Sequence, residues 1–462
     1  MILVAAAFSA CAGGILLPKP TRPRPHTDTP QKELRTKIND HTRHTPIPTT
    51  MPTTPAPPPS HPRFTIAVVG DIHDQWNQES EIALASLNAD VAVFVGDFGN
   101  ENVDLVRQLA SVSSPYKRVY MLGNHDSWYS LTPKGRQRAM KVAQQTSSLS
   151  TFSAVTSHNH KNKKHTAKSN NRNNNTNNNI DQMLDALGPN HIGHSALSFA
   201  QELGVAFVGG RAFSKGGSRW SDVADFYQRH YEIDNFEESA HRIVDVALSQ
   251  HPHASLIVVG HNGPTGLGAH RWSPCGVDWQ LPAEDFGDPD LGEALDMMAS
   301  QRRPATLVLF GHMHQSLKGE GGGKRNMVAV DARTGTVFLN SAVVPRQKKF
   351  TVSCCRDGDQ HETERVMGHH FMLVDMEDGC VRGARYVWVV GDGSGRIVEQ
   401  EDLLKVVIPS DHDSSDSNDS NDRVVMSYYQ AYTNEWVSVV VPLPLQQLKQ
   451  DDEIKSPLMM QT

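Results

Sequence analysis

Cysteine is scarce in this chain: five in 462 residues, at positions 11, 275, 354, 355 and 380. They form no paired disulfide framework, and the adjacent Cys354-Cys355 is not a zinc-site spacing. Long apolar runs are lacking too. No stretch reaches the ~20 residues that span a bilayer, so no membrane partner is expected. An excess of positive charge is also absent. The net charge of −7 offers no general attraction to nucleic acid, although a local basic patch is compatible with it. Gly391-Asp392-Gly393-Ser394-Gly395 lacks the Walker lysine and a following apolar helix, and reads as a turn. The hydrophobic content of 38% suffices for one large core with long appended segments, as in an intracellular enzyme.

Five short stretches carry chemistry: Asp71-Ile72-His73, Gly96-Asp97-Phe98-Gly99-Asn100, Gly123-Asn124-His125-Asp126, Gly260-His261-Asn262 and Gly311-His312-Met313-His314. Each follows a near-continuous apolar run, at 64–70, 91–96, 119–123, 255–260 and 306–311. Such runs mark strands buried on both faces. The first three sites are 26 residues (71 to 97) and 27 residues (97 to 124) apart. That is close to the ~30 residues of a strand–helix–strand unit. Segments 79–87 and 101–110 carry apolar residues at helical spacing and fit between the strands. Ligands of open α/β sheets gather at the carboxyl ends of strands, where all five motifs fall. Singly, Asp71 or Asp97 is as easily a helix N-cap, and His261 alone is more often a satisfied loop residue. Their joint occurrence in one order argues for a shared site.

Carboxylate, imidazole and amide donors suit two divalent ions sharing one carboxylate, an arrangement that hydrolyses phosphate esters. Mn, Fe and Zn all fit such donors, and the lack of Cys argues against a closed structural zinc site. Metals ~3.5–4 Å apart would turn a bridging water into a hydroxide nucleophile. A histidine that is not a ligand can protonate the departing oxygen, and His125 is placed for that role.

With these motifs the chain resembles the calcineurin-like metallophosphoesterases. The resemblance implies that Asp71, His73, Asp97 and His314 hold one metal. It gives the other metal Asp97, Asn124, His261 and His312, with Asp97 bridging and His125 as the catalytic histidine. It covers roughly residues 63–395 and implies a four-layer α-β-β-α sandwich: two mixed sheets face to face, flanked by helices, with the metals at the sheet edge. Segments 209–214, 261–268, 287–291 and 339–345 look like a subgroup found in cyanobacteria and plastid-bearing eukaryotes.

Two departures from related patterns bear on mechanism. The protein-phosphatase branch ends its second motif in Asp, where this chain has Asn100. An amide can orient the His125 ring but brings no charge to raise its pKa, unless Asp126 compensates as a second catalytic group. The Tyr ligand of purple acid phosphatases is missing from this motif, so Mn is the first expectation for the metal. Around the site, Trp128 and Tyr129 either form an aromatic rim for an organic leaving group or pack under a surface loop. Arg211 either forks onto a phosphate or pairs with a nearby Asp, and Arg271 is similar.

The remaining segments read as appendages. Residues 1–62 are a targeting-like and Pro-rich disordered segment, with eight prolines across 45–63. An apolar start precedes residues 18–63, which are basic and hydroxylated with only three acids. That pattern points to a plastid, with a cytoplasmic or secretory address as alternatives. The phosphoesterase domain is expected at 63–400, with a disordered Asn-rich insert at 150–180 whose His158, His160 and His165 belong to a loose loop. A C-terminal extension, 401–462, carries an acidic Ser/Asp/Asn loop at 409–422 and a hairpin from 424–432 and 436–443. The leading function is a phosphatase acting on a small molecule or nucleotide. A nuclease or phosphodiesterase, which needs a basic groove, and a non-catalytic metal-binding scaffold are the alternatives.

Overall fold

The computed structural model describes residues 63–141, 144, 176–318, 322–355, 361–407 and 423–442. The expectations for 1–62, for His158, His160 and His165, and for the loop 409–422 lie outside these residues.

The first expected strands form where the apolar runs stand. β1 (Phe64–Val69), β2 (Val91–Phe94) and β3 (Lys117–Tyr120) are parallel, with Ile66 opposite Val91 and Val91 opposite Lys117. The helices between them start on asparagine caps. Asn77 accepts the Ser80 N–H (2.9 Å) at α1 (Gln78–Ser86), and Asn102 accepts the Leu105 N–H (3.1 Å) at α2 (Val103–Ser111). Each cap satisfies an N–H that the helix itself leaves without a partner.

A second sheet runs in the order β4 (Ala196–Phe199), β5 (Val205–Gly209), β6 (Ser255–Val259), β7 (Leu307–Phe310), β9 (Val337–Asn340), β8 (Val328–Val330). Its central strands are parallel. Alternation along them explains the layers. Val205, Phe207, Ile257, Val259, Leu307 and Leu309 join one core with the first sheet. Their neighbours Ala206, Val208, Leu256, Val258, Val308 and Phe310 join a second core. That second core is completed by Ile243 and Val244 of helix Phe236–Leu248 and by Leu291 and Met298 of helix Pro289–Ser300. A period of two therefore buries one face on the other sheet and one on helices. This is the mixed two-sheet α/β architecture expected from the motifs.

The far half of the first sheet is an antiparallel meander. β10 (Gln347–Cys355), β11 (His361–Glu377), β12 (Cys380–Val390), β13 (Ile397–Val407), β14 (Arg423–Gln430) and β15 (Glu435–Pro442) extend it outward from β1. The expected terminal hairpin is present as β14 and β15. Gly391–Gly395 is the turn between β12 and β13, and β13 itself runs across position 400. One expectation needs correction. The Asn-rich insert does not continue as loop to residue 180, because helix α3 (Thr176–Leu187) begins within it. Ile180, Met183 and Leu187 form a buried stripe at helical spacing, and burial of that stripe outweighs the poor helix propensity of Asn. Among the described residues no helix is long and apolar enough to cross a membrane.

Candidate metal centre

The five motifs leave the strand ends through tight loops that need unusual backbone conformations. Asp71 (φ 26°), His73 (φ 45°), Asp97 (φ 55°) and His312 (φ 67°) all sit at positive φ without being glycine. Each such residue costs on the order of 1–3 kcal/mol and persists only when its surroundings over-determine it. Loop-to-loop hydrogen bonds supply part of that constraint: His73 N–H to Asp97 O (2.7 Å) and Asp74 N–H to Phe98 O (2.8 Å). Close approach is the other requirement. A Cβ on Gly123 would lie 2.3 Å from Asp97 Oδ1, and one on Gly311 would lie 2.3 Å from Asp71 Oδ1. Only glycine leaves room for the carboxylates there.

The expected ligands converge. Asp71, His73 and His314 bring donor atoms together, as do Asp97, His261 and His312. Asp97 also groups with His73 and His125, so its carboxylate stands between the two sets. Its Oδ1 is 3.2 Å from His261 Nε2 and its Oδ2 is 3.7 Å from His73 Nε2. Asn124 Oδ1 lies 3.0 Å from His261 Nε2, and His312 Nδ1 lies 3.3 Å from the same nitrogen.

The donor set fits cations better than it fits itself. His73 Nε2 and His314 Nε2 face one another at 3.1 Å, and both converge on the buried Asp71 Oδ2, at 3.9 and 3.2 Å. His261 Nδ1 lies 2.8 Å from the Val95 carbonyl, which fixes the proton there and turns the Nε2 lone pair toward Asp97. Burial, and then the neighbouring Asp71 charge, pushes the Asp97 carboxyl well above the usual carboxylate range. Burial drives His312 well below its ordinary value, and nearby His261 adds to the shift. Lone pairs crowded this way are relieved by bound cations, which reverse the local charge balance.

His125 opens a short 3₁₀ turn, His125–Ser127, beside the cluster. Its N–H donates to Asp97 Oδ1 (2.8 Å), and its ring Nδ1 lies 2.7 Å from Asn100 Oδ1. Trp128, 37% exposed, stacks on the imidazole at 4.4 Å and 19°, so it belongs to the rim. Tyr129 is half-buried. The buried Asp126 carboxylate accepts N–H groups from Phe98 (2.9 Å), Gly99 (3.3 Å) and Gly123 (2.7 Å), tying the second and third motif loops together. Sequence reasoning overlooked Glu101, at φ 51°, whose carboxylate accepts the Tyr129 and Ser130 N–H groups (3.0 and 2.6 Å). A carboxylate directly after Asn100 was the available signal.

The flanking arginines are engaged elsewhere. Arg211 is buried against Asp290 Oδ2 (2.8 Å), Asp288 Oδ1 (2.9 Å) and the Tyr227 hydroxyl (3.2 Å), so the pairing alternative holds. Arg271 donates to the Lys318 carbonyl (2.8 Å). Replacing Arg211 with Met should destabilise the fold by about 3–5 kcal/mol, because two buried carboxylates lose their counter-charge. Asp288 is already raised to about 7, chiefly by burial. Without the guanidinium it would rise further, so the deficit grows as pH increases through neutrality. Urea unfolding at two pH values measures both effects.

The layered sheets and convergent Asp, His and Asn donors define a metal-binding α/β protein. The family model for calcineurin-like phosphoesterases matches residues 64–316, more than half of the chain, and the chain belongs to that family. No curated protein matches it. One solved crystal structure aligns with 66% of this chain and 98% of its own, at 10% identity and a TM-score of 0.33, a likeness too remote to bear on function.

Proposed function

We propose that this chain is a dinuclear metal-dependent phosphatase acting on a small molecule or nucleotide, with His125 as general acid. The single observation that carries this reading is the position of Asp97, whose two oxygens face separate imidazole sets while His125 stands alongside. Asp71, His73 and His314 would hold one cation, and Asn124, His261 and His312 the other, with Asp97 shared. Bound there, two divalent cations supply Lewis acidity toward phosphoryl oxygens and a hydroxide nucleophile. Nitrogen and oxygen donors without sulfur favour Mn over softer-site metals, with Fe or Zn as the other candidates.

The chain's own residues do the rest. Asn100 Oδ1 lies 2.7 Å from Nδ1 of His125 and holds an N–H there, so the opposite nitrogen offers a proton to the departing oxygen when the ring is the imidazolium. Trp128 fixes the plane of that ring and offers a face for an organic leaving group. Asp126 acts as a positioning residue through the backbone of the second motif. A hydrolysis screen over phosphate mono- and diesters, with metals measured on the purified protein, tests the reading. Absence of turnover on every ester by a metal-loaded protein overturns it.

Burial, then the neighbouring His73 and His261, pushes His125 down to about 4 in the metal-free protein. Asn100→Asp would place a carboxylate at its Nδ1 and favour the imidazolium. An acid-form catalyst works below its pKa and is lost above it. The limb of the kcat profile that falls with rising pH should therefore move up by roughly 1–3 pH units. The shift should appear with an alkyl phosphate and be small with 4-nitrophenyl phosphate, whose leaving group needs no proton.

A further inference from the structure

Trp128 is one of the exposed large side chains, yet its ring lies on the His125 imidazole at 4.4 Å and 19°. An exposed indole gives up rotamer freedom to stack there, so its backbone must already be placed for it. Glu101 supplies two attachments that place that backbone. Its N–H donates to the carbonyl of His125 (2.9 Å), three residues before Trp128. Its carboxylate Oε1 accepts the N–H groups of Tyr129 (3.0 Å) and Ser130 (2.6 Å), the two residues after Trp128. Hydrogen bonds to an ionised carboxylate are stronger than neutral ones. The side chain is buried, and the backbone stands at φ 51°, a left-handed conformation that persists only when the surroundings over-determine it.

We propose that Glu101 is the positioning residue of the His125–Trp128 pair. Asn100 meets the imidazole through one hydrogen bond at Nδ1, about which the ring can still tilt. The indole lying on its face removes that tilt and keeps the opposite nitrogen aimed at the departing oxygen. Asn100 and Glu101 are consecutive, so one stretch holds the ring by its edge and, through the main chain around Trp128, by its face. The grip is mutual, because Asp126 accepts N–H groups from Phe98 and Gly99 in that same stretch. The inference rests on the reading of His125 as general acid.

Glu101→Met and Glu101→Gln in the full-length protein test it. Methionine fills the space without an acceptor, whereas glutamine keeps an oxygen for the Tyr129 and Ser130 N–H groups. In Glu101→Met, kcat on an alkyl phosphate should fall about 10²-fold, the cost of a catalytic group misplaced by ~1 Å. Metal content and kcat on 4-nitrophenyl phosphate should stay near the wild type, and Glu101→Gln should recover most of the alkyl-phosphate rate. Added to His125→Ala, Glu101→Met should cost nothing further on alkyl phosphates. An equal loss on both substrates, a loss of metal, or a cost that adds in full to His125→Ala overturns the inference. Should Glu101→Met melt far below the wild type, Glu101→Asp, which draws the acceptor back by one carbon, is read in the same way. A second readout needs no turnover. In zinc-loaded protein carrying ¹³C-histidine, the His125 ring protons, assigned by their loss in His125→Ala, should resonate upfield under the indole and lose that shift in Glu101→Met. Signals that do not move overturn the inference as well. A wild type that hydrolyses no ester while these signals do move sinks the catalytic reading alone, and Glu101 keeps its part in placing Trp128 on His125.

Discussion

Asp97→Asn abolishes metal loading and phosphoester hydrolysis together. The amide keeps the shape of the side chain and can still accept the His125 N–H, so the loop geometry at 2.8 Å has no reason to change. What disappears is the negative charge between the His73 side and the His261–His312 side. Without it, bound metal should fall well below two equivalents per chain by plasma mass spectrometry. Turnover should fall by about 10³–10⁴, the several kcal/mol that metal catalysis supplies. Stability should move the other way. Burial and Asp71 raise the Asp97 pKa, so carrying its charge costs more in the metal-free fold than in the unfolded chain. A neutral amide removes that cost, and the variant should melt no lower than the wild type in the presence of a chelator. A variant that loses activity because it unfolds would melt lower, and one that keeps both metals would refute the bridging role.

The site was more legible in sequence than the sheet that carries it. Continuous apolar runs such as Val91–Phe94 mark strands buried on both faces, and the residue after such a strand is where a ligand is expected; Asp71, Asp97 and His261 follow from that position together with the joint occurrence of all five motifs. The β10–β15 meander carries no such signal. β13 alternates exposed and half-buried residues around Leu403 and Leu404, so its place depends on pairing with β12 rather than on its own composition. The partners of Arg211 lie 77 and 79 residues away, and only the folded chain decides between an aspartate and a phosphate for its guanidinium. Positive φ at Asp71, His73, Asp97 and His312 is equally invisible locally. Asp and His tolerate it better than most residue types but do not require it, and contacts such as His73 N–H to Asp97 O impose it from another loop. The Asn-rich tract misled in the opposite sense, because composition masked the stripe from Ile180 to Leu187.

His125→Ala separates acid catalysis from metal binding. The ring lies 4.7 Å from His73, edge to face, close enough that His125 joins one of the groups able to hold a cation. A ligand role and a proton-donor role therefore predict different outcomes. If His125 is the acid, the variant keeps both metals and loses about 10²–10⁴ of its rate on alkyl phosphates, the usual contribution of positioned proton transfer. The loss should be much smaller on 4-nitrophenyl phosphate, because nitrophenolate departs without a proton. Removing the imidazole also uncovers one face of Trp128 and frees Asn100 Oδ1, so added imidazole should restore part of the alkyl-phosphate rate. If His125 is instead a ligand, one equivalent of metal is lost and both substrates slow equally. Retained turnover on alkyl phosphates would refute the acid assignment outright, leaving Asn100 and Trp128 as supports for a ring with no part in the reaction.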